Sequence, residues 1–244
     1  MRWTKEQVKE HFKAVKFLER AAGEAFDYIR KNSRAGEYDV QQFILKQFKK
    51  YRIKTDHPPI VAFRENTQYV HYYPSQYSRK IKPESLIMID LWGRLNKKGA
   101  PFADITLMGY YGKKIPAEVL KVFNVVKHAR DKAVKYLKEN LKKGKMPTGF
   151  AVDKVARDFI KKEGYGDNFL HGLGHSLGFT APHGAGVRLS PKFKKPLRKL
   201  VGYTIEPGIY LKNKLGVRSE IDFYSDEKNR VVITTRVQKG ILKI

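Results

Sequence analysis

The sequence contains no cysteine. That excludes disulfide cross-links, thiolate metal ligands and a thiol nucleophile, and it leaves the redox compartment unmarked. Long apolar runs are also missing: nothing approaches the ~18 consecutive apolar residues of a membrane span. The start, "MRWTKEQVKEHFKAVKF", is charged throughout where a signal peptide would carry its apolar stretch. A cytoplasmic protein without a membrane segment is the expectation. Acidic charge is scarce as well, 24 Asp and Glu against 50 Lys and Arg, for a formal net charge of +26. Such an excess attracts polyanions, acidic membranes and acidic partners. The lysines of "KHARDKAVKYLKENLKKGK" and "SPKFKKPLRKL" are nevertheless scattered among acids and apolar residues, and no nucleic-acid reading motif accompanies them. Nucleic-acid binding is therefore not the expected main function.

Apolar residues make up 41% of the 244 positions, enough to fill a core. Thr4 and Gln7 form a capping box ahead of apolar residues spaced by three and four from Val8 to Ile29, which predicts a long amphipathic helix. Asp39 and Gln42 repeat the capping signature before "VQQFILKQFKKY", a shorter helix, and "PPIVAF" and "SLIMIDLW" read as strands. A second long helical pattern starts at Pro116 and is closed by Gly144, and "AVDKVARDFIKKEG" gives another helix ending at Gly164. Strand-like segments follow at "GHSLGFT", "YTIEP", "GVRSEIDFY" and "VVITTRV". The second half thus repeats the order of the first, helices then strands. No Pro/Gly/Ser-rich linker divides the chain, and a single α+β domain over residues 1–244 is expected, strands at the centre and helices over one face.

Acids interrupt the apolar strands in a repeated way. Asp90 and Asp104 lie fourteen positions apart across a turn-like "GRLNKKGAP", and Glu206 and Glu220 lie fourteen apart across "LKNKLG". A hairpin in each half would make the two acids face each other, and like charges opposed at roughly 5 Å need something to offset their repulsion. A single strand acid is ordinarily a solvent-facing residue, but two such hairpins beside a histidine cluster point to a divalent-metal site. Four carboxylates and an imidazole suit Mn(II), Co(II) or Zn(II), held as a carboxylate-bridged pair.

The cluster is "HGLGHSLGFTAPHGAG", with His171, His175 and His183 among glycines. Gly172, Gly174 and Gly178 argue against a helix, and in an extended strand His171 and His175 stand ~13 Å apart, so only one binds a given metal. The others would stand where a substrate sits and donate hydrogen bonds to it. His11, His57 and His128 have no such company and read as structural residues.

These residues resemble the pita-bread metallopeptidases, and within them the Xaa-Pro aminopeptidases and prolidases more than the methionine aminopeptidases. The similarity covers nearly the whole chain. It rests on "LIMIDLWG", "ADIT", "HGLGHSLG", "TIEPGIY" and "GVRSE", five motifs in order. The resemblance implies two pseudo-symmetric αβ halves with a curved antiparallel sheet covered by helices; such Xaa-Pro peptidases often carry a separate N-terminal domain, and as a departure from them none is expected in this chain. It implies two divalent metal ions, manganese ahead of cobalt or zinc, bound by Asp90, Asp104, His175, Glu206 and Glu220. It further implies that His71 in "QYVHYYPS", His171 and His183 contact substrate, and that Arg218 orients the acids around the metals. His183 falls one position later than the family spacing, with Pro182 in its place. The activity implied is removal of the first residue of a peptide ahead of proline, Glu206 moving the proton. The alternatives are a methionine aminopeptidase and an inactive pita-bread module that binds RNA or protein. The partner implied is a peptide, and a homodimer is compatible with it.

Overall fold

The computed structural model describes residues 2–244. Helix α1 (Lys5–Lys31) begins at the expected capping box: Thr4 Oγ1 accepts from the Gln7 N–H, and Gln7 Oε1 accepts from the Thr4 N–H. Helix α2 (Glu37–Lys50) begins earlier than the sequence suggests. Gly36 is its N-cap, and Asp39, in the third helical position, accepts the Gly36 N–H at 2.8 Å. A bridge between Gly36 and Lys80 sets where the chain enters the helix, so Asp39 closes the capping motif instead of opening it.

Four strands complete the first half: β1 (Ile53–Lys54), β2 (Ile60–Phe63), β3 (Ser85–Leu95) and β4 (Ala103–Tyr111). The long β3 pairs antiparallel with β1 and β2 on one side and β4 on the other. Its run "SLIMIDLWG" is buried throughout because both faces are covered. Alternation decides what each face carries. Ile87, Ile89, Leu91, Ala103 and Ile105 pack against α1 and α2, while Met88, Trp92 and Met108 join a second core beneath the other half. Asp90, Asp104 and Thr106 have the same parity as that second set, so they look toward the second half.

The second half opens with α3 (Ala117–Lys142), capped by Pro116 and followed by Gly144 at φ +72°, and α4 (Gly149–Lys162), where the Thr148 side chain accepts from the Ala151 N–H. Then come β5 (Gly202–Ile205), β6 (Gly208–Leu211), β7 (Leu215–Arg218), β8 (Ile221–Ser225), β9 (Val231–Ile233) and β10 (Leu242–Lys243), the last pairing parallel to β4. Each half has its helices on one face of its own sheet. Helices α1 and α2 lie outside β2–β4, α3 lies outside β6, β7 and β9, and the second half's sheets β5-β8-β9 and β6-β7 meet β4 of the first through β8 and β7.

Two strand expectations change. "GHSLGFT" forms no ladder: Gly174 bridges Leu189, Ser176 bridges Tyr203 and Leu177 bridges His183, so the segment changes partner every one or two residues. "YTIEP" and "GVRSEID" each break in the middle. β5–β8 pairing ends at Ile205↔Ile221 and β6–β7 pairing resumes at Gly208↔Arg218 in the same register. Pro207 has no N–H to continue the ladder, and Ser219 donates to its carbonyl at 3.2 Å instead.

Candidate metal centre

The two hairpins deliver their acids differently. In β3–β4 the directly opposed pairs are Asp90↔Thr106 and Trp92↔Asp104, so the two aspartates are diagonal neighbours, not the opposed pair that the fourteen-residue spacing suggests. The connection is pinned at both ends, Asn96 N–H to the Arg52 carbonyl at 2.9 Å and Phe102 N–H to the Gly178 carbonyl at 2.9 Å, which holds this register. Glu206 and Glu220 sit opposite each other in the gap of the second hairpin, where no backbone ladder competes for space.

His175 reaches the same place from the loop before β5. Its N–H donates to Thr204 Oγ1 at 3.0 Å, and that hydroxyl donates to Glu206 Oε1 at 3.1 Å. Gly174 makes this approach possible, since a Cβ there would collide with the Thr204 carbonyl. His175 Nδ1 lies 3.1 Å from the Ser176 carbonyl and is therefore the N–H side of the ring. Nε2 then presents a lone pair, 3.4 Å from Glu206 Oε1 and 3.7 Å from Asp104 Oδ2. Asp104, His175 and Glu220 each offer a ligand atom within 4.8 Å of the others'. All five residues line one cavity of about 260 Å³ together with His71, His183 and Arg218.

The electrostatics are those of a cation site. Burial pushes the His175 pKa down to about 3, with the neighbouring His183 adding to the effect, so the imidazole is neutral. Burial pushes Asp104 and Glu220 well above the usual carboxylate range, helped by the neighbouring acids. Glu206 rises to about 7 for the same first reason, with Arg218 opposing. Acceptors thus face acceptors in a buried space, and a divalent cation is the partner this donor set fits. Arg218 offsets part of the charge: its Nη2 donates to Asp90 Oδ2 at 2.7 Å, and although burial works against its charge the surrounding acids raise its pKa.

The three histidines expected on the substrate side are not placed equivalently. His71 lines both the metal cavity and an adjoining one of about 480 Å³, and His183 stands with its ring centroid 4.1 Å from that of His175. His171 lines the adjoining cavity alone. Its Nδ1 donates to the Gly172 carbonyl at 2.8 Å and its Nε2 accepts from the Tyr210 hydroxyl at 2.8 Å, so both ring nitrogens are engaged.

Several residues escaped the sequence reading. Asp222 Oδ2 accepts the Asp104 N–H at 2.9 Å, and Thr106 Oγ1 donates to Glu220 Oε2 at 2.8 Å. The alternation of β4 and β8 was the available signal, because Thr106 follows Asp104 and Asp222 follows Glu220 by two. His57 lines the metal cavity beside Asp56, which accepts from the Trp92 indole at 2.6 Å. His11 is a satisfied buried residue, paired with the Phe102 carbonyl and Thr234.

Comparison with known proteins places this arrangement. The chain is 27% identical over 218 residues to an Xaa-Pro dipeptidase of Pyrococcus furiosus, covering 89% of this chain and 58% of that one. Its structure matches an X-Pro aminopeptidase from Thermotoga maritima with a TM-score of 0.88 at 28% identity, covering 100% of this chain and 65% of the other. It matches a prolidase from Thermococcus sibiricus with a TM-score of 0.84 at 29% identity, covering 99% and 62%. The chain therefore spans less than two thirds of each of these relatives. No helix among the described residues is long and apolar enough to cross a membrane. The α+β architecture is the pita bread, and the signature of metallopeptidase family M24 matches residues 10–227: the chain belongs to that family.

Proposed function

We propose that this chain is a metal-dependent exopeptidase that hydrolyses the first peptide bond of a peptide with proline after the scissile bond. Asp90, Asp104, His175, Glu206 and Glu220 would hold two divalent ions, manganese ahead of cobalt or zinc. The observation that carries this reading is the buried meeting of His175 Nε2 with the Asp104 and Glu206 carboxylates at 3.7 and 3.4 Å, beside Glu220. Similarity to proteins named Xaa-Pro dipeptidase and X-Pro aminopeptidase supports the substrate class. Bound here, the ions would supply Lewis acidity, lowering the pKa of a coordinated water toward neutrality.

The protein's own groups supply the rest. Glu206, its Oε1 fixed by the Thr204 hydroxyl, takes the proton of the attacking water and passes it to the leaving nitrogen. His183 stabilises the oxyanion from the cavity wall, and His71 places the proline side. His171 contributes from the adjoining cavity through Tyr210, whose buried hydroxyl keeps its proton because burial raises its pKa. Arg218 positions Asp90.

The test is to load the protein with Mn(II), supply Ala-Pro-Xaa, Met-Ala-Xaa and Xaa-Pro peptides together, and identify products by mass spectrometry. Metal-dependent release of the residue ahead of proline is expected, with His175→Ala reducing the rate by about 10³-fold, several kcal/mol of lost transition-state stabilisation. Cleavage confined to Met-Ala-Xaa would reassign the chain to methionine aminopeptidase activity. No cleavage with Mn(II), Co(II) or Zn(II) would leave a binding module.

A further inference from the structure

Along the chain the positive charge is diffuse, but the fold gathers part of it. The start of α4, the next element after α3, meets the segment before β5: Gly149 donates to the Lys195 carbonyl at 3.2 Å, Leu197 donates to the Pro147 carbonyl at 2.9 Å, and Thr148 bridges Pro196. The β8–β9 turn closes on the same place, with Lys199 Nζ donating to the Glu227 carbonyl at 3.3 Å. Lys138 and Lys142 of α3 and Lys228 and Arg230 of that turn line a groove of about 470 Å³. Lys143 and Lys145 follow α3 directly, and Lys194, Lys195 and Arg198 lie on the segment bonded to Pro147 and Gly149, all of them exposed. Acids neutralise little of it. Asp226 pairs with Arg230 at 2.7 Å and Glu139 with Lys135 at 3.8 Å, whereas Lys138, Lys142 and Lys228 are in no ion pair among the described residues.

We propose that this face is a nucleic-acid binding site that grips the phosphate backbone without reading bases. Three features favour that ligand. The cations are concentrated around a concave groove, and Lys138 and Lys142 stand one helical turn apart, about 6 Å, so several phosphates of a strand can be met together. The exposed large apolar side chains, Tyr77 and Leu170 the most open of them, lie on other segments. The face therefore lacks both a stacking platform for unpaired bases and an apolar anchor for a membrane. A duplex, with one charge per ~1.7 Å of axis, is the polyanion that such a face binds by charge alone. The groove is separate from the metal cavity, so peptidase activity can be followed independently.

The experiment compares two triple variants of equal net charge by anisotropy of dye-labelled duplex RNA and duplex DNA between 50 and 200 mM salt. K138E/K142E/K228E reverses the groove, and K9E/K13E/K16E reverses exposed lysines on α1. The parent is expected to bind with affinity falling at least tenfold over that range, and the groove variant to show a salt slope shallower by about 2 to 3. At 50 mM salt it should bind at least about 30-fold more weakly, against less than about threefold for the α1 variant, with peptidase activity unchanged in both. Should the groove variant fail to fold by circular dichroism, K138Q/K142Q/K228Q is read in its place. Equal loss in both variants would show that net charge alone is responsible and would overturn the site. So would absence of duplex binding at 50 mM salt. Preferential capture by anionic lipid vesicles over duplex would hand the face to a membrane instead.

Discussion

The two hairpins that supply the acids reach one centre by different routes. The first is an unbroken ladder that leaves Asp90 and Asp104 diagonal, and the second interrupts its ladder at Pro207 so that Glu206 and Glu220 stand opposed. Their supports differ too. Asp90 is bonded to Arg218 of the second half, the Asp104 backbone to Asp222 of the second half, and Glu220 to Thr106 of the first. Glu206 alone is held from within its own half, by Thr204. The centre is therefore where the two halves are joined, and three of its four acids depend on the opposite half for position.

The largest effect on this cross-support is expected of Arg218→Met. Arg218 and Asp90 are 3% and 6% exposed, and removing one partner of a buried pair leaves an uncompensated charge, at a cost of about 3–5 kcal/mol. Urea unfolding of the metal-free protein measures this. The double variant that adds Asp90→Leu should recover most of the loss, since both charges are then gone. A cost below 1 kcal/mol for Arg218→Met would mean that the halves do not depend on each other here.

The next effect is the pH dependence of the metal-free protein. Folded carboxyl pKa values at Asp104, Glu206 and Glu220 are raised by burial, so the folded state holds protons that the unfolded state releases. Their stabilisation is fully present below the ordinary values, 3.8 for Asp104 and 4.5 for the two glutamates, and is lost as pH rises, ending near 7 for Glu206. Glu206 alone accounts for on the order of 3 kcal/mol across that window. Thermal unfolding at pH 5 and pH 8 should show the fall, Glu206→Gln should flatten the second hairpin's share of it, and saturating Mn(II) should restore stability at pH 8 by binding the folded state.

How much of this the sequence revealed depends on whether the signal was local. The capping box of α1, the parity of "SLIMIDLWG" and the five ligand candidates follow from periodicity and motif, and all five line the cavity. Register was not local. The fourteen-residue spacings looked alike, yet one hairpin is offset because its loop is pinned by Arg52 and Gly178, both remote in sequence. The glycine-rich histidine segment looked like a strand because its residues are extended, but its partners come from different places, which no periodicity reports. Alternation puts Asp222 and Thr106 on the inner face, but what they bond does not show in the sequence for a related reason, their partners lying 118 and 114 positions away. His57 has no company in the sequence, and only the fold brings it to the cavity wall.

The smallest effect separates support across the halves from support within one. Thr106→Val removes a fully buried hydroxyl whose role is the 2.8 Å bond to Glu220 Oε2, and the isosteric methyl leaves no cavity. About 1–2 kcal/mol of stability should be lost, and metal affinity should weaken by about tenfold, because the acid loses the donor that orients it. Thr204→Val should cost more, since that hydroxyl both donates to Glu206 and accepts the His175 N–H, which would be left buried without a partner. Titration of metal into the two variants, with calorimetric unfolding of each, gives the order. If Thr106→Val proves the more damaging, Glu220 depends on the opposite half more than Glu206 and His175 depend on their own. Cross-bracing, more than the local Thr204 relay, would then be what holds the site in shape.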